Sequence, residues 1–315
     1  MKREEGSVEV DGYRVWYRRV GGVGVPLLTL HGGPGAGHDY LESLEALAAD
    51  REVVFYDQLG CGRSDRPDDP SLWRMERFVS EVDAVRRALG LERVHLLGQS
   101  WGGWLAIEYM LSRPRAVLGL VLASTSASIS QFVSEAERLK AALPSEVYET
   151  LRRYERAGEL HHPDYEEAVM EFYRRHLCRL DPWSESLVRT VENLEGNPVY
   201  ETMNGPNEFF VIGNLKDWDR TGRLGEIGVP TLVTVGRYDE ITPACAETIH
   251  RGIPGSEMRI FEQSAHVAHL EETEAYVEAV AGFLARVEAR DANETLQRLD
   301  PARRTLLKRR DDVGE

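Results

Sequence analysis

The chain predicts an α/β protein, with a mostly parallel sheet, helices on both faces and a helical insertion. Three observations carry that expectation. Short, nearly all-apolar runs such as Val94–Leu97 and Leu118–Ala123 suit strands whose two faces both meet helices instead of water. Segments with helical spacing, Met75–Leu89 and Trp101–Ser112, alternate with such runs. From about Thr125 to Arg223 the strand pattern stops and long Arg/Glu-rich amphipathic stretches replace it.

In order, Val8–Val20 and Pro26–Leu30 read as short strands on either side of the Gly-rich turn Gly21–Gly24. A strand at Glu52–Tyr56, the helix Met75–Leu89, the strand Val94–Leu97, the helix Trp101–Ser112 and the strand Leu118–Ala123 follow as βαβ punctuation. After the insertion, the strand pattern resumes at Thr231–Gly236. A helix is expected over Ala244–His250, a strand over Glu257–Phe261 and a helix over Thr273–Val287. This divides the chain into a core (1–125 and 223–290), a helical cap (126–222) and a charged tail (291–315).

With 315 residues, 42% hydrophobic and 29% charged, the chain has the composition of a globular protein able to bury a large core. A net charge of −15 disfavours nucleic acid as a partner, because phosphate binding needs clustered Lys and Arg. Cys61, Cys178 and Cys245 are scattered, which suits neither a disulfide framework nor a zinc site. The N-terminus has no apolar stretch of the signal-peptide kind, and no run reaches membrane-spanning length. A cytoplasmic protein without membrane contact is expected.

The chemistry is concentrated in Gly98-Gln99-Ser100-Trp101-Gly102, which sits between an apolar strand and a helix. That context makes a nucleophile elbow: a sharp turn holds Ser100 at a helix N-terminus, and flanking glycines leave room for it. The Trp101 amide then points toward the charge that develops on an attacked carbonyl. His31-Gly32-Gly33-Pro34-Gly35 follows an early apolar strand, where a second oxyanion donor belongs, and the Gly33 amide is the candidate. A serine hydroxyl needs a base, and the base needs a carboxylate that fixes its tautomer. Asp239 and His266 each follow a late core strand in the required chain order. His269 is the neighbouring alternative to His266. Asp57 lies too early, Asp217 and Asp219 fall in the insertion, and His95 reads as a histidine within a strand.

These residues resemble those of an α/β-hydrolase and, more narrowly, of the proline iminopeptidase family, close to the tricorn-interacting aminopeptidases. The motifs are HGGPG (31–35), DQLGCGRS (57–64), GQSWGG (98–103), MNGPNEF (203–209), KDWD (216–219) and GRYDE (236–240), and the match runs from about Gly32 to Leu284. The resemblance implies the same triad and oxyanion donors. It adds Glu208 and Glu240 as holders of the substrate's α-ammonium. It implies a serine aminopeptidase that releases proline or another apolar N-terminal residue through an acyl-enzyme. An amino-acid amidase or aminoacyl esterase with the same anchor is the alternative. The expected partners are short peptides or amino-acid amides with a free N-terminus, with no metal and no cofactor.

Overall fold

A computed structural model of the chain describes residues 2–299. Its centre is an eight-stranded sheet: β1 (Arg3–Val10), β2 (Tyr13–Val20), β3 (Leu27–Leu30), β4 (Val53–Tyr56), β5 (Val94–Gln99), β6 (Val117–Ala123), β7 (Thr231–Gly236) and β8 (Glu257–Phe261). The spatial order is β1-β2-β4-β3-β5-β6-β7-β8. Strands β3 to β8 pair in parallel, whereas β1 and β2 are antiparallel to each other and β2 to β4.

The single run expected over Val8–Val20 is a hairpin. Asp11 and Gly12 both take positive φ, +53° and +84°, the Asp-Gly combination that a tight two-residue turn favours. Its first strand extends back to Arg3, through charged residues on an exposed edge where apolar alternation gives no signal.

Alternate residues of the central strands feed two cores. Leu28, Leu30, Val54, Leu96, Leu120 and Val233 pack on one face, beneath α1 (Met75–Ala88), α2 (Trp101–Leu111) and α8 (Pro243–Gly252). Leu27, Val53, Leu97, Val121 and Leu232 pack on the other, against a 3-10 helix (Asp39–Ala49) and α10 (Thr273–Leu299). Each fully buried Leu or Val contributes about 1.5–3 kcal/mol, so the period-2 pattern fixes the register of the strands. Helix α10 runs beyond the expected Val287 to Leu299, so the first residues of the expected tail continue the helix. The rest of that tail, 300–315, lies outside the described residues.

Between β6 and β7 come α3 (Ile129–Ala141), α4 (Ser145–Ala157), α5 (Pro163–His176), α6 (Glu185–Leu194) and α7 (Pro198–Met203). Side-chain caps start several of them: Ser128 accepts from the Gln131 amide, Ser184 from Leu187 and Asn197 from Val199. A short α9 (Ala268–Glu271) precedes α10. Beyond the C-terminal ends of the parallel strands, Gly33, Gln99, Ser100 and His266 line one cavity together with Glu208 from the inserted segment.

Candidate active site

Ser100 stands between β5 and α2 with φ +56° and ψ −123°, a strained conformation held by its surroundings. Its amide donates to the Ala123 carbonyl, and its carbonyl accepts from Thr125 Oγ1 at 2.8 Å. Gly102 is required by close approach: a Cβ there would lie 2.0 Å from the Leu30 carbonyl oxygen. Helix α2 therefore starts hard against the strand that carries the HGGPG loop. In that loop Gly33 has φ +107°, a conformation natural to glycine. The Gly33 and Trp101 amides donate to no other group among the described residues. Trp101 opens a helix whose first amides have no partner within it.

His266, in the loop between β8 and α9, meets Asp239, just after β7. Nδ1 lies 2.7 Å from Asp239 Oδ1, which also accepts from the Ile241 amide at 2.8 Å. The carboxylate fixes Nδ1 as the protonated nitrogen and turns the Nε2 lone pair toward the site. Burial works against a charged imidazole here, yet the charge and hydrogen bond of Asp239, joined by Glu240 and Glu208, push His266 up to about 9. His269 is buried too, but its Nε2 donates to the Tyr40 carbonyl at 3.1 Å and burial pulls it down to about 3. It is a neutral packing residue, and of the two histidines His266 is the one paired with Asp239.

A second layer of hydrogen bonds joins the loops. The Gly32 amide donates to the Tyr40 hydroxyl at 2.7 Å, Tyr40 donates to Gln99 Oε1, and Gln99 Nε2 donates to the His266 carbonyl at 3.1 Å. Three loops distant in sequence are thus held by one chain of polar groups. Gln58 accepts from the Trp101 indole at 2.8 Å and donates to the His31 carbonyl at 3.0 Å. The Gln58 amide donates to His31 Nε2, so His31 Nδ1 carries the proton given to Gly32 O; burial lowers this neutral ring to about 4.

The inserted helices line one side of the site. Ser100, Gly33, Tyr40, Gln99, His266 and Glu208 line a cavity of about 50 Å³, with Leu177, Leu187, Val191 and Leu194 as apolar wall. Glu208 is half-buried; its Oε1 accepts from the Tyr200 hydroxyl at 2.7 Å and its amide donates to the Tyr173 hydroxyl at 3.2 Å. Burial raises its carboxyl, and Tyr200 and His266 partly offset that. Glu240 is fully buried beside His266, with Oε1 3.8 Å from Nε2 and neither oxygen bonded to a donor among the described residues. Burial pushes its carboxyl far up; His266 opposes this, while Glu208 and Asp239 add to it.

The end of α5 fastens the cap to both catalytic-side loops. His176 Nδ1 donates to the Tyr238 carbonyl at 2.8 Å, the Glu240 amide donates to His176 O, and the His266 amide donates to Leu177 O.

The remaining expected residues fall elsewhere. Asp57 accepts from the His38 and Arg63 amides and the His38 ring; those bonds outweigh burial and hold it below the usual carboxylate range. Its role is to shape the DQLGCGRS loop. His95 Nε2 meets Glu288 at 3.1 Å beneath the sheet. Asp219 accepts from the Thr221 amide at a turn. His38, Asp39 and Glu42 bring ligand-type atoms together. Arg189 already binds both of those carboxylates and Arg18 binds Glu42, so the cluster is a set of ion pairs. Tyr40, Tyr173, Tyr200 and His176 carry no motif signal, whereas Gln58 and Gln99 lie within the DQLGCGRS and GQSWGG motifs.

The sheet order, the strained serine between strand and helix, and the acid and histidine after late strands define an α/β hydrolase. A family model of the alpha/beta hydrolase fold matches residues 25–273. The chain is 43% identical over 288 residues to the proline iminopeptidase of Saccharolobus solfataricus, covering 90% of this chain and 93% of that protein. It is 38% identical over 285 residues to the proline iminopeptidase of Thermoplasma volcanium, covering 89% and 96%. The crystal structure of a Mycobacterium smegmatis proline iminopeptidase superposes with a TM-score of 0.86 at 38% identity, covering 91% of this chain and 100% of that one. The chain belongs to the proline iminopeptidase family. Among the described residues no helix is long and apolar enough to cross a membrane.

Proposed function

We propose that the chain is a serine aminopeptidase that releases an N-terminal proline, or another apolar residue, from short peptides. The observation that carries this reading is the convergence of Ser100, His266 and half-buried Glu208 on one cavity, with Asp239 on Nδ1 of His266 and buried Glu240 beside its Nε2. Ser100 Oγ attacks the first peptide carbonyl as His266 Nε2 takes its proton, and Asp239 stabilises the imidazolium. The oxyanion is received by the Gly33 and Trp101 amides, each of which is worth about 10²–10³ in rate. His266 returns the proton to the leaving amine, and water then releases the residue from the acyl-enzyme by the same route.

Glu208 and Glu240 hold the α-ammonium. Desolvating that cation is unfavourable unless anionic acceptors take its N–H donors, so free N-termini are selected. The leucine and valine wall supports an apolar first residue, and the cap supports short chains over long polymers. The names of the relatives support proline as that residue.

Ser100→Ala is expected to lower kcat/KM on prolyl p-nitroanilide by about 10³-fold or more, with the circular dichroism spectrum unchanged; undiminished turnover would reject the mechanism. A panel of prolyl amide, dipeptides, tripeptides and N-acetylated counterparts measures the peptide and amine preferences. A cytoplasmic setting is supported by three buried, unpaired cysteines, and the acidic net charge supports a partner other than nucleic acid.

A further inference from the structure

Glu240 is fully buried, both of its carboxyl oxygens lack a donor among the described residues, and Oε1 lies 3.8 Å from His266 Nε2. That nitrogen is the atom that must receive the Ser100 proton. A buried carboxylate with no donor is unfavourable when charged, and an imidazole between two carboxylates is unfavourable when neutral. In the empty site the lower-energy arrangement keeps one proton on the Glu240–His266 pair. A proton on Glu240 leaves no charge there for an ammonium group. A proton on His266 leaves no base.

We propose that the substrate's α-ammonium displaces this shared proton, so that the group which anchors the substrate also frees His266 to act as the base. The inference rests on the anchoring role proposed for Glu208 and Glu240. One cation replaces another: the ammonium enters with its three N–H donors and one proton leaves to solvent. His266 Nε2 is then empty, and takes the hydroxyl proton as Ser100 Oγ bonds to the carbonyl carbon. A substrate without an amine leaves the proton in place and reacts only with the fraction of enzyme that solvent has deprotonated.

The groups facing His266 agree with this. Asp239 and Glu240 approach from the loop after β7 and Glu208 from the cap, while neutral His269 lies behind in α9. Glu271 in α9 accepts from the Ala265 amide, at the back of the same loop. Tyr200 from α7 and Tyr173 from α5 bond Glu208, and His176 of α5 is tied to the Tyr238 carbonyl. The titration directions also agree: burial pulls His266 down, but Asp239 and then Glu240 and Glu208 push it up to about 9.

The test compares pH profiles of the native protein. For prolyl p-nitroanilide, kcat reports the loaded enzyme and kcat/KM the free one, so the acid limb of kcat should lie about one pH unit or more below that of kcat/KM. For p-nitrophenyl acetate, which has no amine, kcat/KM should follow the higher limb. Saturating L-prolinol should release about one proton per site into weakly buffered solution near pH 8. In Glu240→Gln the kcat/KM limb should move down toward the kcat limb, a shift that a merely structural role does not produce.

Coincident limbs with no proton release, while L-prolinol still inhibits competitively, overturn the proton exchange and leave the anchor intact. If L-prolinol does not inhibit and N-acetylprolyl substrates are cut as fast as free ones, the anchor itself fails and the exchange falls with it.

Discussion

One of the tightest positions beside the proposed site is a glycine. A Cβ at Gly102 would sit 2.0 Å from the Leu30 carbonyl oxygen and 2.8 Å from that of His31. Both atoms are backbone and cannot swing aside, so α2 would have to move off the strand that carries Gly33. Gly102→Ala is expected to cost about 3 kcal/mol or more, because overpacking outweighs the roughly 1 kcal/mol of helix propensity that alanine adds. Urea denaturation measures the first effect. A fall in kcat larger than any change in KM would show that the oxyanion donors have shifted. Gly158 is the control: its φ is +72° but a Cβ would meet nothing within 4 Å. Gly158→Ala should cost about 1–2 kcal/mol from backbone strain alone and leave kcat unchanged.

At the scale of elements, the cap is attached to the core by a few side chains, and Asn197 does most at its end. Its Oδ1 accepts from the Val199 and Tyr200 amides and so caps α7. Its Nδ2 donates to the carbonyls of Gly35 and Gly60, in the HGGPG and DQLGCGRS loops. Helix α7 in turn carries Tyr200, the partner of Glu208. Asn197→Ala loses a cap worth about 1 kcal/mol and two buried hydrogen bonds worth about 1 kcal/mol each, so a destabilisation of about 2–3 kcal/mol is expected in urea denaturation. With Tyr200 loosened, KM for a prolyl substrate should rise more than kcat falls. Asn197→Ser keeps a cap acceptor without the two amide donors and should lie between; if Asn197→Ala matched the wild type in both measurements, α7 would not be what positions Glu208.

Across the whole molecule, what the sequence made legible was local and what it hid was remote. Strands β5 to β7 announce themselves because burial on both faces leaves almost no polar residue in them, and the proposed Ser100 and Asp239 follow from their positions after such strands; β8 exposes Glu257 and Arg259, and the proposed His266 follows from its place in the loop after it. Strand β1 has a polar edge, and Tyr40, Asn197 and His176 act through partners far away in the chain, so no spacing rule marks them. The buried histidines are visible in the sequence but their partners are not, and they give the fold a pH dependence. Burial lowers His31 and His95 to about 4 and His269 to about 3, against an ordinary 6.5. Between those values the unfolded chain binds protons that the native state refuses, so this stability is complete above pH 6.5 and is lost as pH falls toward 4. His266 has the opposite sign: raised to about 9, its contribution is complete below 6.5 and is lost as pH rises through 9. Buried carboxyls that burial raises, such as Glu81 and Glu271, counteract the acid-side loss, so a single group must be isolated. His269→Gln does so, because an amide still reaches the Tyr40 carbonyl as donor but does not titrate. In urea denaturation at a series of pH values, the wild type should lose about 2–3 kcal/mol relative to His269→Gln between pH 6.5 and 4.5, which is two pH units at 1.36 kcal/mol each. Parallel stability curves would mean that His269 is protonated in the native state, and its bond to Tyr40 would then have to be reassigned to an imidazolium.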